Sequence, residues 1–258
     1  MKKAVAALVP FLMMAAGWAH AEGRQRKVRY EEMLPHELSA AIKERPVAYV
    51  PYGSLEWHGK HLPYGVDAFK AHALCVRAAE KFGGVVLPAT YWNPPGPAMY
   101  GSYQGAPAAA MEQVFISVFR SLASLGFKVI VGVAGHDVPE ELAPLQKAAQ
   151  AVTVEGSTYG AATYEFMPGD PWSDHAAAYE TSLMMVFKPD LVSMSRIKDE
   201  DLSTQEGQAK AGIHGRDPRR HASREAGERE AARLAEGLGK LAEERLRKLE
   251  APRPAQYR

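Results

Sequence analysis

The hydrophobic positions of this chain fall into short unbroken runs separated by longer stretches of helical spacing. The runs at residues 47–51 (VAYVP), 85–87 (VVL), 128–133 (KVIVGV) and 158–166 do not alternate with polar positions in the way a half-exposed strand would, so they read as strands buried on both faces. Helical periodicity fills the intervals. Residues 68–82 repeat Phe69, Ala73, Val76, Ala79 and Phe82 and stop at Gly83-Gly84, and residues 108–125 carry Met111, Val114, Phe115, Val118 and Leu122 and stop at Gly126. Further helices are predicted over 35–43, 139–152, 175–187 and 223–249, the last with leucines at 234, 238, 241, 246 and 249 beneath a charged, solvated face. Strand and helix alternate throughout, which predicts an α/β protein with a parallel sheet covered by helices on both faces. Residues 91–107 have too little periodicity for either element, and a loop of that length in a compact fold is usually functional. Residues 193–215 read as a polar connection and 251–258 as a frayed end.

Composition narrows this only slightly. A chain of 258 residues, 47% hydrophobic and 24% charged, can bury a substantial core, and without repeat or linker it reads as one domain over residues 22–258. A net charge of +1 gives no electrostatic reason to expect nucleic acid as a partner. The beginning of the chain is different. Lys2 and Lys3, an apolar run over residues 4–19 and the small-x-small Ala19-His20-Ala21 have the form of a signal peptide cleaved after residue 21, which implies a periplasmic or secreted protein with no stable membrane anchor. The single cysteine, Cys75, excludes an intrachain disulfide and lies in an apolar helical pattern, where it reads as a core thiol.

The chemistry is concentrated in residues 51–67, PYGSLEWHGKHLPYGVD, directly behind the first strand. Glu56, His58, His61 and Asp67 stand there among glycines and prolines. On an extended segment Glu56 and His58, two apart, point to one side and can reach one ion, and Asp67 can return after the turn to join it or bridge to a second. Carboxylate and imidazole without thiolate suit Zn, Mn or Fe(II); a polar loop with surface histidines is the alternative. His136 follows a buried strand, and His175 and Glu180 open a helix behind Trp172 and Asp174. Glu56, His58 and His136 all fall at strand C-termini, where open parallel sheets bind ligands.

These residues resemble the creatininase (creatinine amidohydrolase) family. The family pattern Gly-Ser-x-Glu-x-His-Gly-x-His-Leu-Pro, with an Asp a few residues on, matches residues 53–63 and Asp67; Gly135-His136, His175 with Glu180-Thr181-Ser182, and Pro189-Asp190-Leu191-Val192 continue the likeness. The resemblance implies a three-layer α/β/α sandwich with a mostly parallel central sheet and a centre of two divalent ions (Zn, Mn or Fe) that hydrolyses C–N bonds of amides, lactams or formamides with a metal-activated water. By position, Glu56 and His58 would each hold one ion, Asp67 would bridge them, His136 would complete the first site, and His175 would carry a proton. Glu180 is assigned to catalysis or to the metal, and Trp172, Asp174 and Ser102 to the substrate. It also implies a homo-oligomer, commonly a hexamer. Two positions depart from the pattern. Asp137-Val138-Pro139 stand where creatininase itself has a Glu two residues after the His, and Val138 cannot bind a metal, so the second site lacks that ligand unless Asp137 or Glu180 substitutes; the other role open to Glu180 is to hold a histidine in place. Lys60 replaces a Pro, adding a cation at the rim or a solvated side chain. Trp92 is expected in the pocket wall or the core, His72 in a structural role, and His214 and His221 at the surface. A short-peptide peptidase and a periplasmic binding protein without turnover are the alternative functions.

Overall fold

A computed structural model describes residues 26–92, 101–103, 105–165 and 174–250. The leader over residues 1–21, Gln104, Trp172 and the end of the chain lie outside the described residues. Among the described residues four strands, β1 (Val47–Tyr52), β2 (Val85–Val86), β3 (Val129–Ala134) and β4 (Tyr159–Tyr164), form one sheet in the order β2-β1-β3-β4, every pair parallel. The two central strands run in register from Val47 opposite Val129 to Tyr52 opposite Ala134. All six residues of each are buried, which is why their sequences are continuously apolar.

Alternate side chains of these strands feed two cores. Val47, Tyr49, Val129, Val131 and Val133 pack against α2 (Val66–Phe82), α5 (Ala178–Phe187) and α9 (Arg224–Glu250). On the other face Ala48, Val50, Tyr52, Ile130 and Ala134 pack against α3 (Ala108–Leu125) and α4 (Pro139–Val152), with Phe115, Phe119 and Leu145 at the centre. The three layers are those of an α/β/α sandwich. Among the described residues no helix is long and apolar enough to cross a membrane.

Two regions differ from the periodicity. The helix predicted from residue 175 begins at Ala178, because Asp174 caps it: its Oδ2 accepts the Tyr179 N–H at 2.7 Å and its Oδ1 the Glu180 N–H at 3.2 Å. Ala176 adopts φ 52°, a left-handed turn that a helix cannot continue through. The polar stretch after residue 193 contains α6 (Asp199–Leu202) and α7 (Gln205–Ala211), the second capped by Thr204, whose hydroxyl accepts the Gly207 N–H at 3.0 Å. Helices this short span too few turns to show a period. α8 (Pro218–His221) leads into α9.

Candidate metal centre

The C-terminal ends of the parallel strands lie at one edge of the sheet, and the chain leaves β3 and β4 each carrying a polar side chain. The Gly135 N–H bonds the Tyr52 carbonyl at 2.8 Å and the Glu165 N–H bonds the Ala134 carbonyl at 2.9 Å, so the ladder extends one step beyond β3 and β4 and fixes where His136 and Glu165 emerge. Asp67 reaches the same edge from the first turn of α2. That turn lies against the backbone so closely that a Cβ on Gly53 would overlap the Ala68 amide and one on Gly135 the Asp67 carbonyl. Glycine is needed at both positions to let the Asp67 turn dock between β1 and β3. Behind β1 the Glu56 N–H bonds the Tyr64 carbonyl at 3.0 Å and the Trp57 N–H bonds the Ser102 hydroxyl at 2.9 Å, which ties down the loop that carries Glu56 and His58.

The acidic and imidazole groups converge in three overlapping sets whose ligating atoms lie within 4.8 Å of one another: Glu56, Asp67 and His136; His58, Asp67 and Glu180; and Glu56, His58 and His175. His136 Nδ1 is 3.0 Å from Glu56 Oε2 and 3.5 Å from Asp67 Oδ2. His58 Nε2 is 3.1 Å from Asp67 Oδ1 and 3.3 Å from Glu180 Oε2. The two oxygens of Asp67 therefore face different sets. His58 Nδ1 donates to the Glu56 carbonyl at 3.0 Å, which leaves Nε2 as its ligating atom. Glu56 Oε2, His58 Nε2 and Asp67 Oδ1 are buried at these distances yet none is aligned in a hydrogen bond. Lone pairs that converge without pairing are what a cation site requires, and this donor set of carboxylates and imidazoles fits a divalent ion.

The surrounding side chains are mostly acidic, and burial keeps several of them from ionising freely. Beside the ligand sets the cavity, about 320 Å³, is lined by Lys70, Asp137, Glu165, Asp174, Tyr179 and His214. Burial pushes the Glu165 and Asp174 carboxyls up to about 7, and burial, then Asp67 and Glu165, push Glu141 well above the carboxylate range. Burial also acts against ionisation of Glu180, but Lys70 and His58 outweigh it and hold Glu180 well below that range. Sequence reasoning missed Lys70, Glu141 and Glu165. Lys70 stands one turn after Asp67 and only 2% exposed, on the helix face that buries Ala71, Leu74 and Cys75. Of the predicted stripe, Val76 and Ala79 share that buried face, while Phe69, Ala73 and Phe82 lie half-buried on its flank. Asp67 itself was the signal available: a functional residue in the first turn implies that position 70 faces the same way.

His175 lies outside α5, its Nε2 donating to the Trp57 carbonyl at 3.0 Å and its Nδ1 3.9 Å from Glu56 Oε2. Asp174 lines the cavity while capping α5, and Ser102 bonds Trp57 without lining it. Trp92 is half exposed, stacked edge-on against Tyr103. Lys60 and His221 are exposed, and the exposed His214 borders the cavity. His61 belongs to none of the three sets; it is 1% exposed and its Nε2 meets the Thr181 hydroxyl at 3.0 Å.

Burial and the neighbouring His58 lower the His61 pKa to about 4, against an ordinary value near 6.5. The unfolded chain therefore binds a proton here that the folded one refuses between those values, so stability falls as pH drops below about 6.5 and the loss is complete below about 4. We expect metal-free protein to lose on the order of 3 kcal/mol from this group. Urea unfolding at pH 7 and pH 4.5 tests it: His61→Asn should show a smaller difference between the two than wild type.

A family model described as Creatininase, creatinine amidohydrolase, matches residues 31–242. The creatinine amidohydrolase of Pseudomonas putida is 25% identical over 183 residues, which is 61% of this chain and 70% of that protein. The mycofactocin precursor peptide peptidase of Mycolicibacterium smegmatis (strain ATCC 700084 / mc(2)155) is 32% identical over 157 residues, 56% of this chain and 59% of that protein. A crystal structure of creatinine amidohydrolase (creatininase) shares the fold, with TM-score 0.71 and 22% identity over 85% of this chain and 98% of its own. Other solved structures of this fold include an Mn creatininase (TM-score 0.68, 21% identity) and a mutant creatininase of Zn-Zn type (TM-score 0.66, 22% identity).

Proposed function

The chain belongs to the creatininase family, and from that premise we propose that it is an exported hydrolase dependent on two divalent ions that cleaves a C–N bond of a small amide, lactam or formamide. The observation that carries the reading is the pair of ligand sets sharing Asp67, one with Glu56 and His136 and one with His58 and Glu180. Bound divalent ions supply Lewis-acid polarisation of a carbonyl and make a water acidic enough to attack it near neutral pH. This chain's own residues do the rest. His175 lines the cavity, and with its Nε2 committed to the Trp57 carbonyl its Nδ1, 3.9 Å from Glu56 Oε2, is left as the proton acceptor. Burial and His58 hold its pKa below the ordinary imidazole value, so it is neutral at pH 7 and can take a proton from the nucleophile and return it to the leaving nitrogen. Export rests on residues 1–21 and places the reaction in the periplasm or outside the cell.

A second substrate class is supported by the relative of Mycolicibacterium smegmatis that acts on a precursor peptide. Parallel assays of Mn²⁺- or Zn²⁺-loaded mature protein on cyclic amides, formamides and short peptides test the two readings. We expect turnover of a non-peptide amide that chelation abolishes and the metal restores. Turnover confined to peptides would replace the first reading with the second, and metal-replete protein inert on all three classes would overturn both.

A further inference from the structure

Lys70 is a lysine in the core of the molecule, 2% exposed, and its ammonium meets two buried carboxylates. It lies 2.7 Å from Glu165 Oε1 and is bonded to Glu180 Oε1. The oxygens of Glu180 are thereby divided between two tasks. Oε1 takes Lys70, while Oε2 accepts the Ala176 N–H at 2.6 Å and stands 3.3 Å from His58 Nε2. We infer that Lys70, itself anchored by Glu165, is a positioning residue that fixes the Glu180 carboxylate as a ligand of the second cation site, beside His58 and Asp67.

The inference rests on the two-ion reading above and deepens it. A glutamate side chain that is free to rotate pays for its ordering each time it binds a metal, whereas one held at both oxygens has been ordered during folding. Lys70 also supplies a positive charge beside a carboxylate that lies near the like charge of Asp67, so both can remain ionised in the interior. An ammonium in this neighbourhood could instead take the place of the second ion. The geometry points the other way, because Lys70 approaches Glu180 through Oε1, and it is Oε2 that faces His58.

Titration of metal-free protein with Mn²⁺, followed by calorimetry and by elemental analysis of the dialysed complex, tests this without an activity assay. Wild type is expected to bind two equivalents. Lys70→Met should keep one at wild-type affinity and bind the other about 10- to 100-fold more weakly, the pattern also expected of Glu180→Gln. Glu165→Gln leaves an amide oxygen for the ammonium and should retain both ions. Because Lys70→Met leaves the Glu165 carboxyl buried without its partner, the double variant Lys70→Met/Glu165→Leu provides the same test if the single variant does not fold, with the same single ion expected. Two ions bound by wild type and, as tightly or more tightly, by the Lys70 variants would overturn the inference alone, and tighter binding is what a competing ammonium predicts. Loss of both ions in the Lys70 variants would overturn it as well, since the effect would then not be local to Glu180. One ion in wild type would overturn the two-ion reading and this inference together.

Discussion

Asp67→Asn should bind neither ion and lose turnover by on the order of 10³-fold or more, equivalent to about 4 kcal/mol of transition-state stabilisation. The expectation follows from the division of the carboxylate: Oδ1 faces His58 at 3.1 Å and Oδ2 faces His136 at 3.5 Å, so one side chain serves both ligand sets. Asparagine offers one oxygen in place of two and carries no charge, and its NH₂ would point a donor at whichever set lost its acceptor. The change cannot relax away, because the turn holding Asp67 is fixed against Gly53 and Gly135. Metal analysis of the purified variant gives the direct measurement. Thermal unfolding gives an independent one: ligand that binds only the folded state raises the melting temperature with concentration, so added Mn²⁺ should raise the melting temperature of wild type and leave that of the variant unchanged. A variant that kept two ions would remove Asp67 from the role of bridge.

What the sequence disclosed and what it hid follow from different physics. The order of strands and helices was legible because a parallel strand buried on both faces has no polar positions to interrupt it, and the Gly83-Gly84 and Gly126 stops mark chain reversals that need positive φ. The segment of residues 53–67 was legible because its acids and histidines are adjacent in sequence and its glycines serve backbone contacts that no other residue permits. Lys70, Glu141 and Glu165 were not legible by the same means. Each is a charged residue outside the motif of residues 53–67, and solvent is the usual place for such a residue. Their burial, 2%, 0% and 2% exposed, is imposed by strand register and helix rotation, which single-sequence periodicity does not specify. His61 shows the converse: it shares the motif with His58 but turns away to Thr181, since neighbours three apart beyond a turn need not share a direction.

His175→Gln is expected to leave both ions in place and to lower kcat by about 10²- to 10⁴-fold, the usual contribution of a positioned acid–base group. His175 is at once a member of a potential ligand set with Glu56 and His58 and a free proton acceptor, and these roles predict different losses. Its Nδ1 stands 3.9 Å from Glu56 Oε2, whereas His136 Nδ1 is 3.0 Å from the same oxygen, so His136 is the better placed of the two to share an ion with Glu56. Glutamine can still donate to the Trp57 carbonyl, which preserves the local backbone while removing the basic nitrogen. In wild type, burial and the neighbouring His58 lower the His175 pKa, so kcat/KM should rise with pH through a limb below the ordinary imidazole value and level off near neutrality, where the ring has lost its proton. The variant should lack that limb and retain two equivalents of metal. Loss of an ion instead would make His175 a ligand and transfer the proton-carrying role to another group at the cavity wall, of which His214, with its ring 5.8 Å from that of His175, is the nearest imidazole outside the ligand sets.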